Sequence, residues 1–285
     1  MIFAAGSSDN SAVQNEPSNL YDQTVEQIRQ YVEYLRDEGT RELELDAESA
    51  RRLLNKTPAV APKPVPPSAK PMQTSPPPPR VAAPPAQPTI NAVEAEKALR
   101  EVAKRVSVCT LCPLHQTRTK TVPGQGSSHP EIMFIGEGPG ADEDQQGLAF
   151  VGKAGQLLTK IVEAMGFKRD EVFIGNIVKC RPPDNRVPLP DEMTACLPYL
   201  KEQIALLQPK VIVALGATAV KGLLNTQTGI TKLRGQWMSY QGIDLMPTYH
   251  PAYLLRNPDG KRDVWEDMKA VLEHLGRTPP PVKKQ

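Results

Sequence analysis

The stretch "EIMFIGE", residues 131–137, decides the fold. Between its two glutamates, Ile132, Met133, Phe134 and Ile135 run without a polar interruption, and "GPG" (138–140) breaks the chain at once. An apolar run of this length without alternation reads as a strand buried on both faces, the condition of a parallel sheet. Three further runs share the texture: "VFIGNIV" (172–178), "KVIVALG" (210–216) and "DLMPTYH" (244–250). The segments between them carry helical spacing. Leu157, Leu158, Ile161, Val162 and Met165 form one helix, stopped by Gly166. Leu197, Leu200, Ile204 and Leu207 form another after the start at Pro190; a third covers 217–224 and a last 262–275. Strands alternating with helices predict an α/β fold, a three-layer αβα arrangement around a central, mainly parallel, four-stranded sheet. Ligands of such sheets bind beyond the carboxyl ends of the strands. Those ends are Glu137, the stretch 176–179, Gly216 and His250.

Outside this region the texture changes. Between Pro58 and Pro88, 13 of 31 residues are proline and none is acidic, so 58–90 reads as an extended, semi-rigid linker. Residues 1–57 form an N-terminal extension with one amphipathic helix, since Tyr21, Val25, Ile28, Val32 and Leu35 fall on one helical face. That helix either docks weakly on its own chain or serves a protein partner's groove. The folded domain is expected over 91–277, opening with a charged helix at 93–106, and 278–285 is a flexible tail. The net charge of +2 excludes a grossly basic nucleic-acid coat but not a local basic face. No apolar run is long enough to span a membrane, and "MIFAAGSSDN" (1–10) lacks the basic region of a signal peptide. The chain is therefore expected to be a cytoplasmic monomer without membrane contact.

Four cysteines, Cys109, Cys112, Cys180 and Cys196, all lie in the α/β part. The C-x-x-C pair lets two thiolates reach one centre, and four thiolates suit either zinc or an iron–sulfur cluster. Cys180 and Cys196 stand 16 apart, wider than the usual second pair of a zinc site. The loop "RPPDNRVPLP" (181–190) between them carries Arg181 and Arg186 towards phosphates. The stretch "GLAFVGKAG" (147–155) is one letter short of a nucleotide-binding loop, with Ala154 in place of the magnesium-binding hydroxyl. It does not follow a strand directly, and Asp142, Glu143 and Asp144 would repel a triphosphate. It is therefore not read as a triphosphate cradle.

Three motifs in order, "GEGPGADEDQQGLAFVGKAGQLL" (136–158), "GNIVKCRPPDNRVP" (175–188) and "YHPAYLLR" (249–256), together with the four cysteines, resemble the family 4 uracil-DNA glycosylases. The resemblance covers roughly residues 92 to 275. It implies a [4Fe-4S] cluster on Cys109, Cys112, Cys180 and Cys196. It also implies hydrolysis of the N-glycosidic bond of uracil in single- or double-stranded DNA, leaving an abasic site for base excision repair. Phe150 suits the flat wall for a flipped base. Asn176, alone in an apolar strand, suits the reader of the uracil edge, and Gly138 leaves room beside it. His250 is expected to donate to uracil O2 as negative charge develops. Glu143 and Asn185, with Glu137 beside the pocket, are expected to handle water and the sugar cation. Lys153, Arg186 and Arg256 are expected at phosphates, and Leu254, within the run Tyr253, Leu254 and Leu255 after the histidine, is expected as an apolar wedge. The rival from another class is a non-catalytic nucleic-acid binder with a structural metal site in a replication or repair assembly.

Overall fold

The computed structural model describes residues 91–281. The expected N-terminal helix, the proline-rich linker and the last four residues of the expected tail lie outside the described residues. In chain order the elements are α1 (Ala92–Ser107), β1 (Gln125–Gly126), β2 (Ile132–Gly136), α2 (Ala141–Gln146), α3 (Lys153–Ala164) and β3 (Phe173–Asn176). Then come α4 (Pro190–Leu207), β4 (Val211–Leu215), α5 (Gly216–Leu224), α6 (Ile230–Leu233), β5 (Met238–Tyr240), β6 (Ile243–Thr248), α7 (Pro251–Arg256) and α8 (Gly260–His274).

Among the described residues the sheet has six strands in the order β1-β3-β2-β4-β6-β5, not four. The inner four, β3, β2, β4 and β6, are parallel and are the runs expected from sequence. The two additions are antiparallel edges, β1 on β3 and β5 on β6. Every residue of β2, β3 and β4 is buried, as a sheet covered on both faces requires. One continuous apolar core joins these strands to the inner faces of α3, α4, α5 and α8.

The strand order reverses around β2, whose neighbours are β3 on one side and β4 on the other. Loops leaving β2 and β4 therefore diverge and open a crevice at the carboxyl ends. Gly147 and Gly152 of the "GLAFVGKAG" stretch end α2 and begin α3. Neither follows a strand, so the loop is not built as a phosphate cradle.

Candidate active site

A cavity of about 530 Å³ occupies this crevice. Its wall draws on all four parallel strand ends: Glu137 after β2, Asn176 at the end of β3, Leu215 at the end of β4 with Gly216 after it, and His250 after β6. Phe150 and Asn185 complete it from the two flanking loops.

The parallel register sets Asn176 beside Gly136. A Cβ at Gly136 would fall 2.5 Å from Asn176 Oδ1 and 2.6 Å from Phe150 Cζ. The absent side chain thus lets an amide and an aromatic ring converge on one spot. Asn176 is 1% exposed, and its Oδ1 has no hydrogen-bond partner. An orphaned buried amide oxygen costs about 1–3 kcal/mol, so it marks a place where a ligand donor belongs. The backbone carbonyl of Asn176 is held by the buried Lys179 ammonium at 2.9 Å, which also donates to Gln203 Oε1 at 2.7 Å. Burial pushes the Lys179 ammonium down to about 8.

Phe150 adopts φ 53, a left-handed conformation unfavourable for an aromatic residue. The surroundings impose it. Arg169 donates to the carbonyls of Ala149 and of Phe150, the latter at 2.9 Å. Glu143 Oε1 accepts from the Val151 and Gly152 N–H groups at 2.8 and 2.9 Å. A Cβ at Gly155 would lie 1.9 Å from the Phe150 carbonyl oxygen, so only glycine fits beneath the loop. The clamped ring faces His250, with centroids 5.5 Å apart.

His250 caps α7. Its Nδ1 accepts the Ala252 N–H at 3.1 Å, which leaves the proton of the neutral ring on Nε2. Burial, with Arg256 nearby, lowers its pKa to about 4. The ring is therefore a neutral donor at physiological pH. Glu137 accepts a hydrogen bond from the Thr218 hydroxyl at 2.5 Å. Asn185 takes φ 55 next to Asp184 at φ 55, a conformation short polar side chains tolerate, and its Oδ1 accepts from Arg181 Nε at 2.8 Å. The cavity thus presents an aromatic face, an unpaired amide edge, a neutral imidazole donor and a carboxylate: the groups needed to bind a planar base and stabilise charge on it.

Comparison with known proteins carries this further. The profile of the Uracil DNA glycosylase superfamily matches residues 123–269. The type-4 uracil-DNA glycosylase of Thermotoga maritima is 44% identical over 194 residues, covering 67% of this chain and 97% of that one. That of Sulfurisphaera tokodaii is 46% identical over 190 residues, covering 64% and 86%. The chain belongs to the uracil-DNA glycosylase superfamily. The type-4 relative of Saccharolobus solfataricus agrees, at 43% identity over 187 residues, 62% of this chain and 87% of that one.

Within that superfamily frame, several residues stand elsewhere than the motifs suggested. Leu254 is 1% exposed and packs in the core, so it cannot be a wedge; Leu255, the next residue of α7, is 47% exposed. Arg186, expected at phosphates, spends its guanidinium on Glu192 through bonds of 2.8 and 2.7 Å, because that carboxylate is buried and needs a partner. Gly138 lines the cavity, and a Cβ there would also strike Val178 Cγ2 at 2.7 Å, so close packing too asks for glycine at this position. Lys153 is exposed on the first turn of α3, and Arg256 lines the cavity.

Glu143 differs most from expectation. Besides its bonds to Val151 and Gly152, its Oε2 accepts the Gly140 N–H at 3.1 Å. All three partners are backbone donors, so the carboxylate ties the Phe150 loop to the turn after β2. In Glu143→Gln the amide oxygen can keep one side, but the NH2 group then opposes a backbone N–H. The expected result is a loss of about 1–2 kcal/mol in stability, read by thermal unfolding, with weakened binding of free uracil. An unchanged melting temperature would contradict the clamp.

The four cysteines, with Lys179, line one small cavity of about 10 Å³. Arg118 Nη1 donates to Cys180 Sγ at 3.2 Å, and the Lys179 backbone N–H to Cys196 Sγ at 3.3 Å. Among the described residues no group of three or more His, Cys, Asp or Glu side chains is arranged to hold a single metal ion. The donor set is all sulfur, with N–H groups aimed at two of the sulfurs. It fits a sulfur-ligated centre.

Arg169 and Thr218 carried no sequence signal strong enough to single them out. Arg169 lies in a turn outside every motif. Thr218 was detectable only as a hydroxyl at the carboxyl end of an inner strand.

Proposed function

We propose that the chain is a uracil-DNA glycosylase that takes uracil out of the DNA stack and hydrolyses its N-glycosidic bond, leaving an abasic site. The observation that carries this reading is the unpaired Asn176 amide oxygen beside the Phe150 ring and the His250 donor. In this reading the everted base stacks on Phe150. Asn176 Oδ1 accepts from uracil N3–H while its Nδ2 donates to O4. Cytosine reverses both partners and would leave buried polar atoms unpaired. As the bond to the sugar breaks, negative charge moves to uracil O2, and His250 Nε2–H donates to it. Glu137 faces the positive charge that develops on the sugar, and with Asn185 it orients the attacking water. Glu143 serves by holding the Phe150 loop.

The wedge that fills the gap in the stack is Leu255. Leu255→Ala is expected to slow excision from duplex DNA by roughly tenfold or more and to leave single-stranded substrate much less affected. Equal losses on both substrates would remove the wedge role. Arg256, Lys153, Lys261 and Arg262 supply the phosphate contacts, so DNA affinity falls as salt rises.

The four cysteines are the proposed ligands of a [4Fe-4S] cluster. When bound, the cluster supplies architecture, tying α1 to the segment that follows β3. Arg118 and the Lys179 backbone hydrogen-bond its ligand sulfurs. The functional test is cleavage of oligonucleotides carrying a single uracil, thymine or cytosine. Release of uracil alone is expected; tight binding without release would favour a non-catalytic role.

A further inference from the structure

Thr218 has no place in the chemistry described so far, yet it is 3% exposed and bonded to Glu137, a residue of the cavity wall. Its hydroxyl donates to Glu137 Oε2 at 2.5 Å, across 81 positions of sequence. Threonines inside helices usually return this bond to a carbonyl one turn back. The fold explains the difference. β4 lies directly beside β2, so the residues after the two strands are neighbours. Gly216 takes φ 85, which lets β4 pass into α5 with no intervening loop. The first turn of α5, with Thr218 in it, therefore meets the residue that follows β2, which is Glu137.

Two effects act on that carboxylate in the same direction. A hydroxyl donated to a carboxylate is charge-assisted and favours its ionised form. The first turn of a helix carries unpaired N–H groups and partial positive charge, which also favours an anion nearby. The hydroxyl in addition fixes one oxygen, leaving the orientation of the group no longer free.

We propose that Thr218 is a positioning residue for glycosidic-bond cleavage, holding the Glu137 carboxylate ionised and turned towards the sugar side of the cavity. The proposal rests on the role given to Glu137 above. The other titratable or charged groups lining the cavity are Glu143, Arg186, His250 and Arg256. His250, lowered to about 4, charges in the same acid range, so the limb assigned to Glu137 is the one that moves between Thr218 variants in which His250 is unchanged.

The test compares Thr218→Val, which keeps the shape and removes the hydroxyl, with Thr218→Ser, which keeps the hydroxyl. Single-turnover uracil release is followed against pH, and binding is measured with an oligonucleotide carrying a non-cleavable 2′-fluoro-deoxyuridine. The valine variant is expected to lose about tenfold in maximal rate. Its acid limb should move to higher pH, and its affinity for the fluorinated probe should stay as in the unaltered protein. The serine variant should recover most of the rate and the original limb. If the valine variant fails to fold, Thr218→Ala against Thr218→Ser gives the same comparison. A valine or alanine variant with unaltered rate and acid limb overturns the proposal, provided that Glu137→Gln is itself slowed. A slowed variant with an unmoved limb that serine does not rescue also overturns it, since packing alone would then explain the loss. A fully active Glu137→Gln overturns the role of Glu137 first and the proposal with it.

Discussion

Replacing His250 by alanine slows single-turnover uracil release by two to three orders of magnitude. The magnitude follows from removing one donor aimed at a developing anion in a water-poor site, typically about 3 kcal/mol. The structure fixes which form of the ring does this. The Ala252 N–H occupies the Nδ1 lone pair, so protonating the ring would break that bond as well as charge a half-buried group. The pKa near 4 is the consequence, and catalysis by the Nε2–H of the neutral ring should show no histidine-dependent limb between about pH 5 and 8. Stability responds to the same group. The folded protein holds this proton less readily than the unfolded chain, whose histidine titrates near 6.5. Stability from this group is therefore fully present above about 6.5 and declines as pH falls towards 4. A limb near 6.5 that disappears in His250→Ala would mean that the charged ring is the donor, against this account.

Asn176→Ala gives the second large effect, with an opposite signature in stability. Uracil excision should fall by roughly a thousandfold, because N3–H and O4 of the base lose their partners inside a desolvated pocket. Yet the substitution removes a buried amide oxygen that has no partner in the free protein. Truncating an ordinary buried polar residue lowers the melting temperature; here it should stay level or rise, since the orphaned atom goes with the side chain. Paired measurements of excision and thermal unfolding check this. A protein that melts much earlier and loses activity in proportion would make Asn176 a structural residue.

The extent to which the sequence announced all this depended on element length. Each inner strand has four to six residues between clear breakers, enough for an apolar run to be read, and their ends located the cavity. The edges β1 and β5 have two and three residues, too few for any periodicity to register, so the sheet looked two strands narrower than it is. The assignment of Leu254 as the wedge failed for a related reason. α7 is a six-residue helix that opens on a proline, and adjacent leucines in so short a helix do not reveal which faces the core. Phe150, Asn176, Glu137 and His250 were legible because each is an odd residue at a strand end or in a glycine frame. Glu143 was legible as an acid but not as a clamp, since its partners are backbone N–H groups that sequence does not display. Arg186 met Glu192, six positions on in the first turn of α4, whose burial the sequence does not display.

The most direct test of the central claim is a crystal structure of the protein with free uracil bound. The account predicts the base lying flat on the Phe150 ring, N3–H and O4 paired with the Asn176 amide, and O2 within hydrogen-bond distance of His250 Nε2. Uracil lodged away from that ring, or seated there with its N3–O4 edge turned from Asn176, would contradict it.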